Sequence, residues 1–240
     1  MIISHQHRFV FVKTRKTAGT SIEVLLGKIA GPDAVVTPID PPVAGHNPRN
    51  YRIARSKPRR LASWVRHPTR DPRRLPEYYN HMTARGIRSY LGAERWDSYY
   101  KFCFERNPWE KAVSRYYFAK GRGEFDGTFR EFVLTAGDLP SDFDIYSIDG
   151  ANVAVDFVGR YEHLADDLRQ VLDRLGIDQE VSLSREKGNF RPADATVDTM
   201  FDDEMSARIE AAFAREIRAF GYSAPQALIS PPLAEDATGA

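Results

Sequence analysis

A chain of 240 residues with 42% hydrophobic and 28% charged residues has the make-up of an ordinary globular protein, long enough for one substantial α/β domain. Its net charge of +1 argues against a general nucleic-acid binder, and its single cysteine, Cys103, excludes an internal disulfide and any cysteine-based metal cluster. No signal-peptide pattern and no apolar stretch of membrane length is found, so the expected location is the cytoplasm.

In chain order, an apolar run over 8–13 predicts a strand. It breaks off at a basic, hydroxyl-rich loop, and a helix is expected from about Thr20, with Ile22, Leu25, Leu26 and Ile29 on one buried face. Gly31-Pro32 ends that helix. Residues 37–76 are rich in Pro and Arg without periodicity and read as a long surface excursion. Over 49–95 thirteen Lys/Arg stand against three acids, a balance that suits an anionic substrate or simply a solvated loop.

A short helix near 83–91, stopped by Gly92, precedes a buried strand over 99–106. Asn107 and Pro108 then give an N-cap and first helical residue, with Trp109, Val113, Tyr116 and Tyr117 as the core stripe. A helix over 127–136, a strand over 153–160 and a helix carrying Leu164, Leu168, Val171, Leu172 and Leu175 follow, the last closed by Gly176. Met205, Ile209, Phe213, Ile217 and Phe220 mark a final helical stripe, with Asp202, Asp203 and Glu204 in its first turn. The alternation predicts an α/β domain over 1–222 with a P-loop-like parallel β-sheet flanked by helices, and a frayed tail over 223–240.

Strand, hydroxyl-rich loop and helix together make an anion site, because the first-turn N–H groups and the positive helix end face the ligand. Arg15, Lys16, Thr17, Ala18, Gly19, Thr20 and Ser21 form this candidate loop. The nucleotide-hydrolase pattern is not met, since Lys16 precedes the glycine instead of following it.

Two segments together resemble sulfotransferases that use 3′-phosphoadenosine 5′-phosphosulfate (PAPS). KTRKTAGTSIE, residues 13–23, is similar to that family's 5′-phosphosulfate loop, and FERNPWEKAVSRYY, residues 104–117, to its 3′-phosphate element, with Arg106 and Ser114 eight apart. The intervening HMTARGIRSYLGAERWDSYYKF and the later GRYEHLADDLRQVLDRLGI are similar to the carbohydrate branch, of uronyl and heparan 2-O-sulfotransferase type. The resemblance implies PAPS as co-substrate, no metal, and a hydroxyl acceptor that is a small molecule or a saccharide. Lys16 would neutralise charge on the leaving phosphate, Arg106 and Ser114 would hold the 3′-phosphate, and His81, just before a helix, would be the base. Glu77 is the fallback base. Lys187 and Arg191 are candidates for a late basic segment closing over the nucleotide. Tyr78, Tyr79, Trp64 and Trp96 are candidates to stack on a sugar ring, with core packing the plainer reading for Trp96.

Rival readings remain. A magnesium-dependent phosphotransferase would need an acid near the loop, and Glu23 is the close one. A non-catalytic module would bind nucleotides or acidic glycans. His5 and His7 alternate as a metal pair would, although a solvated strand edge accounts for them; His46, beside Gly45, could reach a substrate.

Overall fold

The computed structural model describes residues 1–53, 77–135, 139, 141–183, 197 and 200–225. The second part of the Pro/Arg excursion, with Trp64, and the candidates Lys187 and Arg191 lie outside the described residues, as does the tail beyond 225. The chain divides into two compact units, Met1–Glu105 with Asp142–Glu186, and Arg106–Ser141 with Lys187–Ala240.

The first unit holds a five-stranded sheet: β1 (Ile2–Ser4), β2 (Phe9–Phe11), β3 (Val35–Val36), β4 (Tyr100–Glu105) and β5 (Phe157–Arg160), in the order β3-β1-β2-β4-β5. The expectation of a parallel sheet holds for half of it. β2 pairs with β4 and β4 with β5 in parallel, whereas β1 pairs antiparallel with both β2 and β3, so the sheet is mixed. The reason is connection length. Only residues 5–8 link β1 to β2, enough for a hairpin and too few for the crossover a parallel pair needs. Alternate strand residues Phe9, Phe11, Phe102 and Phe104 are fully buried on one face, against Ile22, Leu25 and Leu26 of α1 (Gly19–Ile29).

The helices α2 (Ala84–Leu91) and α3 (Ala93–Ser98) precede β4; the sequence reading foresaw the first and missed the second, which starts on the same Gly92 that stops α2. The first part of the excursion is tied down: Arg49 bridges to Val36 and donates from Nη2 to the carbonyls of Gly27 and Gly31 at 2.9 Å each, a cation on the C-terminal end of α1.

In the second unit α4 (Pro108–Gly121) begins as predicted. The Asn107 side chain accepts from the N–H groups of Trp109 and Glu110, and Trp109, Val113 and Tyr116 are buried. They pack with α5 (Phe129–Thr135). A short α6 (Phe143–Tyr146) and the helix α7 (Leu164–Arg174) return to the first unit, where Leu168, Val171 and Leu172 join the sheet's core. The final stripe is two helices, α8 (Asp203–Ala212) and α9 (Ala214–Phe220), interrupted at the fully buried Phe213. Asp202 is the N-cap of α8, accepting from Met205 N–H at 2.8 Å, instead of lying in its first turn.

Among the described residues no helix is long and apolar enough to cross a membrane.

Candidate functional site

The loop after β2 is fixed at its base by polar side chains. The Thr14 hydroxyl is bonded to the Phe104 carbonyl on β4 and lies 2.8 Å from the Thr17 hydroxyl. Arg15 donates its backbone N–H to Asp142 Oδ2 and its Nε–H to Asp142 Oδ1, both at 2.7 Å. From Thr14 to Ser21, only Lys16 (φ 62°) and Ala18 (φ 55°) adopt the left-handed conformation. Two residues of positive φ separated by one that lacks it bend the backbone sharply, and such turns are where successive N–H groups can gather into an anion-binding concavity. Two non-glycine residues in this conformation each cost about 1–2 kcal/mol and persist only where the surroundings enforce them.

At Ala18 the loop passes into α1. No side chain caps this helix start and its first turn holds no acid, while Gly19, Thr20 and Ser21 are buried there. The positive end of the helix is therefore uncompensated by its own side chains. Gly19 answers to a neighbour within the protein: a Cβ there would lie 2.8 Å from Cγ and 2.9 Å from Cε of Lys13.

Lys13 itself was not singled out. Its buried ammonium lies 2.6 Å from Glu23 Oε2 and 3.5 Å from Thr20 Oγ1. Glu23 is fully buried and also accepts from the Met1 amine. Burial pushes the Glu23 carboxyl up, but the two cations outweigh it and hold the group below its usual range. A carboxylate so engaged is poorly placed to serve as a metal ligand.

His81 joins this group. It occupies a left-handed turn (φ 58°) ahead of α2, whose N-cap is Thr83, and its Nδ1 lies 3.1 Å from the Lys13 carbonyl. A carbonyl only accepts, so Nδ1 carries the proton and Nε2 the lone pair. The imidazole is lowered to about 4, first by burial and then by the Lys13 charge, with Asp142 opposing.

Around His81 the aromatic candidates separate. Trp96 and Tyr78 are buried, Tyr78 edge-on to Tyr90, while Tyr79 is 51% exposed. Glu77 is half-buried and pairs through its backbone with Arg52 in an isolated antiparallel bridge. His46, half-buried, has its Nε2 enclosed without a hydrogen-bond partner among the described residues. His5 is engaged by Tyr99, Nδ1 to hydroxyl at 2.8 Å, and among the described residues no group of three or more His, Cys, Asp or Glu could hold a metal.

In the second unit Arg106 immediately precedes Asn107. Its guanidinium, 10% exposed, donates to Glu110 at 2.8 Å, so the plain helix-start ion pair is present. Ser114 is half-buried on α4.

No family model and no solved structure matches the chain. Over 108 residues it is 39% identical to a protein of Archaeoglobus fulgidus described as an uncharacterized protein, a match covering 42% of this chain and 88% of that protein's length. The chain belongs to the family of that archaeal protein.

Proposed function

We propose that the protein is a PAPS-dependent sulfotransferase with a P-loop-like nucleotide site, moving a sulfuryl group to the hydroxyl of a saccharide or similar small molecule. The observation that carries this reading is the pairing, within one unit, of a loop with two left-handed residues at an uncapped helix start with a neutral histidine on the residue that opens the loop. In this reading the amides of residues 17–20 and the Lys16 ammonium hold the 5′-phosphosulfate. His81 Nε2 takes the acceptor's proton as its oxygen attacks sulfur, and Lys16 neutralises the charge released as the bond to the 5′-phosphate breaks. Arg106, already oriented by Glu110, and Ser114 are assigned to the 3′-phosphate on the strength of the resemblance. The engagement of Glu23 by Lys13 and Met1 weighs against the magnesium-dependent phosphotransferase.

The test is calorimetric titration with 3′-phosphoadenosine 5′-phosphate (PAP) of the wild type, Lys16→Ala and Arg106→Ala, followed by an acceptor screen with PAPS. Micromolar binding, about −8 kcal/mol, that falls tenfold or more in both variants supports the assignment. A folded wild type that ignores PAP rejects it.

A further inference from the structure

Asp142 is fully buried, lies 127 positions from the loop in sequence, and has no part in the chemistry above. We propose that Asp142 is the positioning residue of this site, one carboxylate that holds the loop at Arg15 and adds a negative charge to those acting on His81; what the loop binds rests on the sulfotransferase reading.

A buried carboxylate costs several kcal/mol unless its oxygens are matched. Here each oxygen takes an N–H of the same residue: Oδ2 the backbone of Arg15, Oδ1 its Nε, at 2.7 Å each. The backbone bond fixes the Thr14–Arg15 peptide, one residue ahead of left-handed Lys16, and the side-chain bond keeps Arg15 from pulling it away. The carboxylate is itself anchored. Asp142 opens α6, whose Tyr146 donates its hydroxyl to the buried Glu105 at 3.1 Å, at the end of β4. On the same strand the Phe104 carbonyl holds Thr14. The loop is thus tied at two successive residues to one rigid strand and its attached turn, which is what two left-handed residues require.

The charged groups acting on His81 are the Lys13 ammonium, the Met1 amine and the Asp142 carboxylate, and among them Asp142 alone favours the protonated imidazole. The residue that shapes the loop therefore also opposes, in part, the burial and the Lys13 charge that drive the proton off the base.

The experiment follows the His81 imidazole by NMR through a pH titration, and PAP affinity by calorimetry, in the wild type, Asp142→Asn and Arg15→Met. Asparagine keeps an acceptor for the Arg15 N–H and removes the charge. The His81 midpoint should fall below its starting value of about 4, and PAP affinity should weaken on the order of tenfold. Arg15→Met takes the guanidinium away from the carboxylate, so the midpoint should rise. A merely structural aspartate would not produce shifts of opposite sign. Both midpoints staying within about 0.3 pH units of wild type in folded proteins would overturn the assignment. Should Asp142→Asn fail to fold, the Arg15→Met midpoint decides alone. If the wild type does not bind PAP, the nucleotide reading fails while the titration still judges Asp142.

Discussion

The Nδ1 of His81 lies 3.1 Å from the carbonyl of Lys13, the residue whose own ammonium is buried against Glu23 beneath the loop. Base orientation and loop support thus diverge from one residue, its backbone serving the histidine and its side chain the helix start.

The consequence for pH is signed. His81 is held to about 4 in the folded protein against an ordinary 6.5. Between those values the unfolded chain binds a proton that the folded protein refuses, so this group's contribution is present above 6.5 and lost as pH falls towards 4. His81→Asn suits the left-handed turn, since asparagine tolerates positive φ. It should shrink the difference in urea midpoint between about pH 7 and about pH 5, and under the sulfotransferase reading it should abolish turnover. An unchanged pH difference would show that His81 does not titrate low.

Lys13 and Glu23 give a coupled pair. Lys13→Met leaves the fully buried Glu23 short of a cation and should cost about 3 kcal/mol or more. Adding Glu23→Gln removes the stranded charge, so the double variant should be more stable than Lys13→Met alone. A denaturant double-mutant cycle measures this, and strict additivity of the two changes would refute the coupling.

Ala18 tests the strain in the loop. At φ 55° and ψ 21° it pays for a conformation that glycine adopts freely. Ala18→Gly should therefore raise stability by about 0.5–1 kcal/mol, and Ala18→Val, β-branched, should lower it. Thermal melts of both variants check the order.

What was legible in the sequence is what local chemistry decides. Asn107-Pro108 announced a helix start, Gly92 and Gly176 marked helix ends, and the apolar run breaking at Lys13-Thr14 marked a strand entering a loop. The three residues of β1 and two of β3 are too short to show a period of two, so the antiparallel half of the sheet left no trace. Asp142 and the Lys13–Glu23 pair were missed for a different reason. Their partners are set by tertiary placement, and neither of the two aspartates in SDFDIYS carries a spacing that points to Arg15. Arg106 and Ser114 were marked by resemblance to a motif, which says nothing of the Glu110 contact.

Two glycines close the case with opposite signs. Gly159 on β5 faces Phe104 on β4, and a Cβ there would lie 2.7 Å from the ring's Cδ1 and 3.1 Å from its Cζ. The Phe104 ring is fully buried against Phe11 and Phe102, with centroids 6.5 and 6.4 Å away, so it has little room to yield. Gly159→Ala should cost about 1–3 kcal/mol as overpacking. Because the Phe104 carbonyl also holds Thr14, PAP affinity should fall with it if the loop is the nucleotide site. Gly27, within α1, would place its Cβ with nothing inside 4 Å, so Gly27→Ala should gain up to about 1 kcal/mol from helix propensity and leave PAP binding unchanged. Urea denaturation of the two variants beside the wild type tests both signs. A Gly159→Ala protein as stable as the wild type would show that β4 and β5 do not pack as closely as the Phe104–Gly159 pairing requires.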